Sequence, residues 1–215
     1  MTPAQALIFD MDGLLFDTET LYVEATSQLV EPHGHTITPE IYGGWVGRDV
    51  SPQEYVETFP GPYTAEEFRQ QLRTLFYALC DEKLALLPGV LEFLDGPAAG
   101  YPKAIASSSR LSTITSHLDQ LGLRARFDVL VSGRDVPRGK PAPDVFLAAA
   151  ARLGVAPAAC VVFEDSLHGI TGAKAAGMRA VAVPTEWTAH LDFSAADLVV
   201  GGLGEVSAAW LAGRA

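Results

Sequence analysis

The chain has 215 residues, 48% hydrophobic and 19% charged, enough apolar material for a sizeable core and too much for a disordered chain. Fifteen Lys and Arg against 26 Asp and Glu leave a formal net charge of −11. That balance excludes a broad basic face for nucleic acid or an anionic membrane, and leaves small anionic substrates only where a site supplies its own positive charge.

In chain order, the first element is a strand over 6–10, "ALIFD", which runs into Asp10-Met11-Asp12-Gly13. Side chains alternate along a strand, so Asp10 and Asp12 share a side and Met11 takes the other. From about 19 to 85 no buried strand is legible. Leu21, Ala25 and Leu29 recur at helical spacing, as do Phe68, Leu72, Leu75, Phe76 and Leu79, and Thr64 with Glu67 forms a capping-box pattern. This stretch reads as a helical insertion over 18–85 whose two crossings, "LLFDTE" and "LALLPG", lie close together. The α/β core then comprises 1–17 and 86–215.

Beyond the insertion, short apolar runs alternate with longer amphipathic ones. Strands are expected at 103–107, 127–132, 160–164, 179–183 and 197–200, and helices near 89–96, 111–121, 143–153, 167–176 and 203–212. The alternation predicts a doubly wound, Rossmann-like parallel sheet covered by helices on both faces. Cys80 and Cys160 show no metal spacing and read as small buried hydrophobes in a reducing compartment. No basic leader precedes the first strand, and Arg152 interrupts the longest apolar run. The expectation is a cytoplasmic protein, monomeric or weakly dimeric, with no nucleic-acid or membrane partner.

The strand ends carry the polar residues. An open α/β sheet binds its ligand in the crevice at the carboxyl ends of its strands. There the sequence puts Asp10 and Asp12 after the first strand, and Ser107, Ser108, Ser109 and Arg110 after the second. Lys140 follows the third, held before Pro141 and Pro143, and Glu164 and Asp165 end the fourth. Ser109 also reads as a plain helix cap, and Asp165 or Ser166 as another. Four carboxylates converging on one crevice repel one another unless a cation intervenes, and oxygen ligands suit Mg²⁺. An EF-hand reading fails because Leu14 and Leu15 occupy positions that need a ligand and a glycine.

"DMDG", the serine of "IASSS", the lysine of "GKPAPD" and "FEDS" resemble, in order and spacing, the four motifs of the haloacid dehalogenase superfamily. The stretches "FDMDGLLFDTE" and "KPAPDVFLAAAARLGV" are similar to its helical-cap subgroup of β-phosphoglucomutases and small-molecule phosphatases such as those for phosphoglycolate. The resemblance implies that Asp10 is a nucleophile forming an aspartyl-phosphate and Asp12 the general acid and base. It implies that Ser107, Ser108 and Lys140 bind the phosphoryl group. Asp10, the backbone carbonyl of Asp12 and Asp165 would coordinate Mg²⁺, with Glu164 supporting that shell. Arg48, Ser109 and Arg110 are candidate substrate contacts, whereas Tyr42 and Trp45 read as packing residues and no histidine is given a catalytic role.

Departures narrow the choice. Dehalogenases lack the second aspartate, so Asp12 speaks against carbon–halogen chemistry. Mutases carry a histidine where this chain has Tyr22. The expected activity is therefore hydrolysis of a small phosphorylated metabolite, a sugar phosphate or similar ester. A β-phosphoglucomutase-type reaction is the alternative, and a phospho-accepting receiver-like module a more distant one.

Overall fold

The structure is a computed structural model that describes residues 2–46 and 50–214. Its centre is a six-stranded sheet in which every pairing is parallel. In chain order the strands are β1 (Ala6–Phe9), β2 (Lys103–Ser107), β3 (Val129–Ser132), β4 (Cys160–Glu164), β5 (Arg179–Ala182) and β6 (Leu198–Val199). Their spatial order is β3-β2-β1-β4-β5-β6. The chain thus steps outward from β1 to β3, then returns to the other side of β1 for β4. That reversal opens a crevice at the carboxyl end of β1, between β2 and β4.

β1 is sequestered completely, with all four residues at 0% exposure. Strand alternation sends Leu7 and Phe9 to one apolar cluster and Ala6 and Ile8 to another. On the first face Phe9 stacks on Phe163 at 4.8 Å, and Phe93 meets both rings edge-on. Phe93 comes from α5 (Val90–Asp95), and Ile114 and Leu118 of α6 (Leu111–Gln120) extend the cluster. On the opposite face lie α7 (Asp144–Leu153), through Val145 and Phe146, and α8 (Leu167–Ala175), through Ile170 and Ala173.

Within residues 18–85 the described chain forms four α-helices: α1 (Thr18–Val30), α2 (Pro39–Gly43), α3 (Pro52–Thr58) and α4 (Ala65–Lys83). Leu21, Ala25, Phe68, Leu72 and Leu79 are buried, as their spacing requires. The capping box forms: Thr64 N donates to Glu67 Oε2 at 2.8 Å and Glu67 N to Thr64 Oγ1 at 3.3 Å. The short helices α2 and α3, unassigned from the sequence, start on Thr38 and Ser51 caps with proline in the first turn. The two crossings run side by side, with Asp17 N donating to Ala85 O and Leu87 N to Leu15 O.

One expected helix is replaced. Residues 203–212 form a 3-10 turn (Leu203–Glu205) followed by the short α9 (Ala208–Leu211). Val206 is extended between them, and Ser207 starts a new helix by accepting from Trp210 N at 3.1 Å. The backbones of Gly89 and Gly204 lie close, so that a Cβ built on Gly89 would fall 3.0 Å from Gly204 N. Cys80 and Cys160 are buried and unpaired. Among the described residues, no helix is long and apolar enough to cross a membrane.

Candidate active site

The β1 strand ends at Phe9, and the next backbone amide, Asp10 N, still donates to Phe163 O of β4 at 3.0 Å. This bond fixes Asp10 at the crevice. Met11 turns into the core, and Gly13, at φ +74°, lets the chain turn back. Asp10, Asp12, Ser107, Ser108, Ser109, Lys140 and Asp165 all face one cavity of about 420 Å³. Arg110 stands exposed at its lining. Arg48 lies outside the described residues.

Asp12 and the serines form one half of the floor. Ser109 Oγ donates to Asp12 Oδ2 at 2.8 Å and Ser107 Oγ to the same oxygen at 3.2 Å. Ser109 N donates to Ser107 Oγ at 3.0 Å, closing the turn after β2. Ser109 is therefore not the side-chain cap of α6; Arg110 occupies that position with no capping bond. From the β3 end, Ser132 Oγ donates to Ser109 O at 2.7 Å and steadies the serine turn.

Lys140 and three acids form the other half. The Lys140 side chain is 3% exposed and its Nζ donates to both Asp10 Oδ1 and Glu164 Oε1. Glu164 sits behind the cavity at 0% exposure, and its Oε2 accepts from Ser166 Oγ at 2.9 Å. Ser166 in turn caps α8 by accepting from Gly169 N at 3.1 Å. A Cβ on Gly169 would lie 1.8 Å from Glu164 Cδ, so this helix must carry glycine for the carboxylate to fit. Asp165 is 2% exposed, and its Oδ2 has no hydrogen-bond partner.

The electrostatics follow from the burial. Asp10 is pushed up to about 8, chiefly by desolvation, with Lys140 pulling it down and Glu164 and Asp12 pushing it further up. Asp165 is held well above the usual carboxylate range by burial, then by Glu19, Glu164 and Asp10. For Lys140, burial alone would lower the ammonium, but Asp10 and Glu164 outweigh it and hold it above its ordinary range. One lysine thus serves two carboxylates and leaves Asp165 without a basic partner among the described residues.

Magnesium fits this donor set. Single carboxylate oxygens of Asp10, Glu164 and Asp165 all lie within 4.8 Å of one another, a grouping that could hold a metal ion, and the unpartnered Asp165 Oδ2 is an available acceptor beside it. Hard oxygen donors without sulfur or imidazole favour Mg²⁺ over softer ions. The Asp12 carboxylate lies outside that cluster, turned to the serines.

Over this floor stand side chains of the insert, of which Glu19 and Tyr55 were not singled out from the sequence. Glu19, 5% exposed on the first turn of α1, also lines the cavity. As an acid near a helix start it reads locally as a dipole partner, and nothing local shows its distant hydrogen bond from Thr185. Tyr22 OH pairs with Tyr55 OH at 2.5 Å, and both rings line the cavity. Tyr42 and Trp45 are packing residues, as expected. They lie 5.5 Å from Trp187 and 4.8 Å from Tyr55, respectively, yet both also face the cavity.

The model of the haloacid dehalogenase-like hydrolases matches residues 7–183. YhcW of Bacillus subtilis (strain 168) is 38% identical over 210 residues, spanning 96% of this chain and 96% of its own. Hexitol phosphatase B of Escherichia coli (strain K12) is 35% identical over 221 residues, spanning 99% of both. A haloacid dehalogenase family hydrolase of Deinococcus radiodurans R1, solved with bound phosphate and sodium, superposes over 100% of both chains with a TM-score of 0.79 at 28% identity.

Proposed function

The chain belongs to the haloacid dehalogenase-like hydrolases and is a phosphatase of that family; from that premise we propose that it hydrolyses a small phosphorylated metabolite with Mg²⁺, through an aspartyl-phosphate on Asp10. The substrate class we favour is a sugar phosphate or similar phosphomonoester, in keeping with a relative that is a hexitol phosphatase. The observation that carries this reading is the division of the two aspartates. Asp10 is tied to Lys140 among the buried acids, while Asp12, two residues on, is held apart by the hydroxyls of Ser107 and Ser109. One carboxylate is thereby set beside a cation for attack on phosphorus and the other is set apart for proton transfer.

In the first step a carboxylate oxygen of Asp10 forms a bond to phosphorus as the ester P–O bond breaks. Asp12 gives its proton to the departing alkoxide. In the second step Asp12 takes a proton from water, the water oxygen bonds to phosphorus, and the acyl-phosphate bond breaks to return Asp10 and inorganic phosphate. Lys140 and the Ser107–Ser108 turn would hold the phosphoryl oxygens, where positive charge and donors stabilise the transferring group. Mg²⁺, bound by Asp10, Asp165 and the Asp12 backbone carbonyl with Glu164 behind, would add positive charge at those same oxygens. In this proposal residues 18–85 act as a cap on the core of 1–17 and 86–215, excluding water and contacting the leaving group.

Hydrolysis is favoured over the mutase reaction by Tyr22. Burial raises the pKa of its phenol and outweighs the downward pull of the hydrogen bond with Tyr55, so it does not offer the proton exchange of an imidazole near neutral pH. A receiver-like module is disfavoured by the four helices α1 to α4 that precede α5 and β2. The test is phosphate release over a panel of phosphorylated metabolites with and without EDTA. EDTA-sensitive turnover of sugar phosphates is expected; efficient conversion of β-glucose 1-phosphate to glucose 6-phosphate would overturn the preference for hydrolysis.

A further inference from the structure

Glu19 is a buried carboxylate with no basic partner among the described residues: the ion pairs at the site take Asp10 and Glu164 to Lys140 and leave Glu19 out. It belongs to the insert, on the first turn of α1, yet its hydrogen bond goes to the core. Thr185 Oγ1, on the loop after β5, donates to Glu19 Oε2 at 2.6 Å. Thr185 is itself fixed by Thr188, whose buried Oγ1 accepts from Thr185 N at 2.9 Å. The carboxylate is therefore aimed, and what it is aimed at is visible from Gly13. A Cβ built on that glycine would lie 2.4 Å from Asp165 Oδ2 and 2.8 Å from Glu19 Cδ. The two carboxyl groups converge over the bare glycine backbone, and the Asp165 oxygen there has no hydrogen-bond partner.

Two buried carboxylates in such proximity need positive charge or a hydrogen-bond donor between them. Lys140 is committed to Asp10 and Glu164. Mg²⁺ ordinarily retains several waters, each a strong donor, and residues that accept from that layer orient the ion and strengthen its binding.

We propose that Glu19 is a positioning residue of the Mg²⁺ site, accepting a hydrogen bond from a water of the ion's hydration shell and so tying the first helix of the insert to the metal. The inference rests on the Mg²⁺ reading given above. It assigns a task to an insert residue beyond the aspartates, serine, lysine and glutamate at the strand ends. It also makes the hold of α1 on the core depend on metal occupancy as well as on Thr185.

The test is Mg²⁺ titration of substrate-free protein by calorimetry, with Mg²⁺-dependent Tm as a second readout, for the wild type, Glu19→Gln, Glu19→Asp and Asp165→Asn. Glu19→Gln should weaken Mg²⁺ binding about 10- to 100-fold. Saturating Mg²⁺ should restore its kcat, which a merely structural lesion would not allow. Glu19→Asp keeps the charge and withdraws the acceptor, and should also weaken binding, so the idea stays open to refutation if the glutamine variant folds poorly. Unchanged Mg²⁺ affinity in both Glu19 variants, alongside loss in Asp165→Asn, would overturn this inference and leave the metal reading standing. A raised KM with unchanged Mg²⁺ affinity would likewise overturn it, by assigning the carboxylate to substrate. A wild type that binds no Mg²⁺ would overturn both.

Discussion

The strand ends and the helical insert present functional side chains in different ways. At the strand ends, position is imposed by the sheet: Asp10 follows a strand with no exposed atom, its amide still bonded to β4, and Glu164 closes another such strand. In the insert, position comes from side chains meeting across helices, as where Tyr22 OH finds Tyr55 OH or Phe68 stacks on Tyr55 at 5.4 Å. The first arrangement tolerates little movement, which suits groups that must stay within bonding distance of a reacting phosphorus. The second rests on contacts among the helices themselves, which suits the cap role proposed for them. Changes in the floor should therefore strike kcat, and changes in the insert, apart from Glu19 at the metal site, should strike KM.

The largest expected effect sharpens that contrast. Asp10→Asn keeps the shape and removes the proposed nucleophile, so phosphate release should fall at least about 10⁴-fold while circular dichroism stays native. Retained turnover would break the proposed chemistry. Asp12→Ala should lower kcat by about 10²- to 10⁴-fold, more for esters with poor leaving groups than for p-nitrophenyl phosphate, since only the former need a proton. An equal loss on both substrates would deny Asp12 the acid role.

Next comes the support behind the floor. Gly169→Ala forces a methyl into the space of the Glu164 carboxylate. Overpacking of this kind costs about 1–3 kcal/mol, and the displaced Glu164 should release Lys140 as well. Thermal unfolding and kcat should fall together. A variant with wild-type Tm would show that the strand end is softer than its burial implies.

The same burial sets a pH dependence. Asp10 and Glu19 stand at about 8 and about 7 in the fold, raised from 3.8 and 4.5. Between each ordinary and raised value the folded chain holds a proton that the unfolded chain has released, so stability falls as pH rises through that window. Unfolding in EDTA should show Tm dropping from pH 5 to pH 8, by about 2–4 °C for each kcal/mol lost. Added Mg²⁺ binds the deprotonated acids and should shrink the drop. A Tm in EDTA that climbs over this range would contradict the reading.

The sequence revealed these two regions unequally. Strands β2 and β4 coincide with the expected 103–107 and 160–164, because a strand buried on both faces reads as an unbroken apolar run between polar ends. The polar groups at those ends were legible for the same reason. The helices α2 and α3 are too short for periodicity to show, although Thr38-Pro39 and Ser51-Pro52 carry start signals. Ser109 looked like a cap because hydroxyls at a strand–helix junction usually cap, whereas here its hydroxyl is taken by Asp12, 97 residues away. Glu19 was hidden more deeply. Its partner Thr185 is 166 residues distant, and no local spacing encodes such a bond.

The smallest effect is the most direct test of the division itself. Tyr77 of α4 and Thr113 of α6 both line the cavity, and their hydroxyls meet at 3.2 Å across the join of insert and core. Tyr77→Phe removes one oxygen and leaves the ring, with the Arg73 guanidinium 5.8 Å from its centroid. The pair is exposed, so its loss is worth about 0.5 kcal/mol, the low end for a hydrogen bond, or roughly a twofold change. If the insert governs access and leaving-group contact, that change should appear as a raised KM with kcat unaltered. A tenfold fall in kcat at constant KM would mean that the join transmits to the reacting groups, and the floor could no longer be treated as independent of the helices above it.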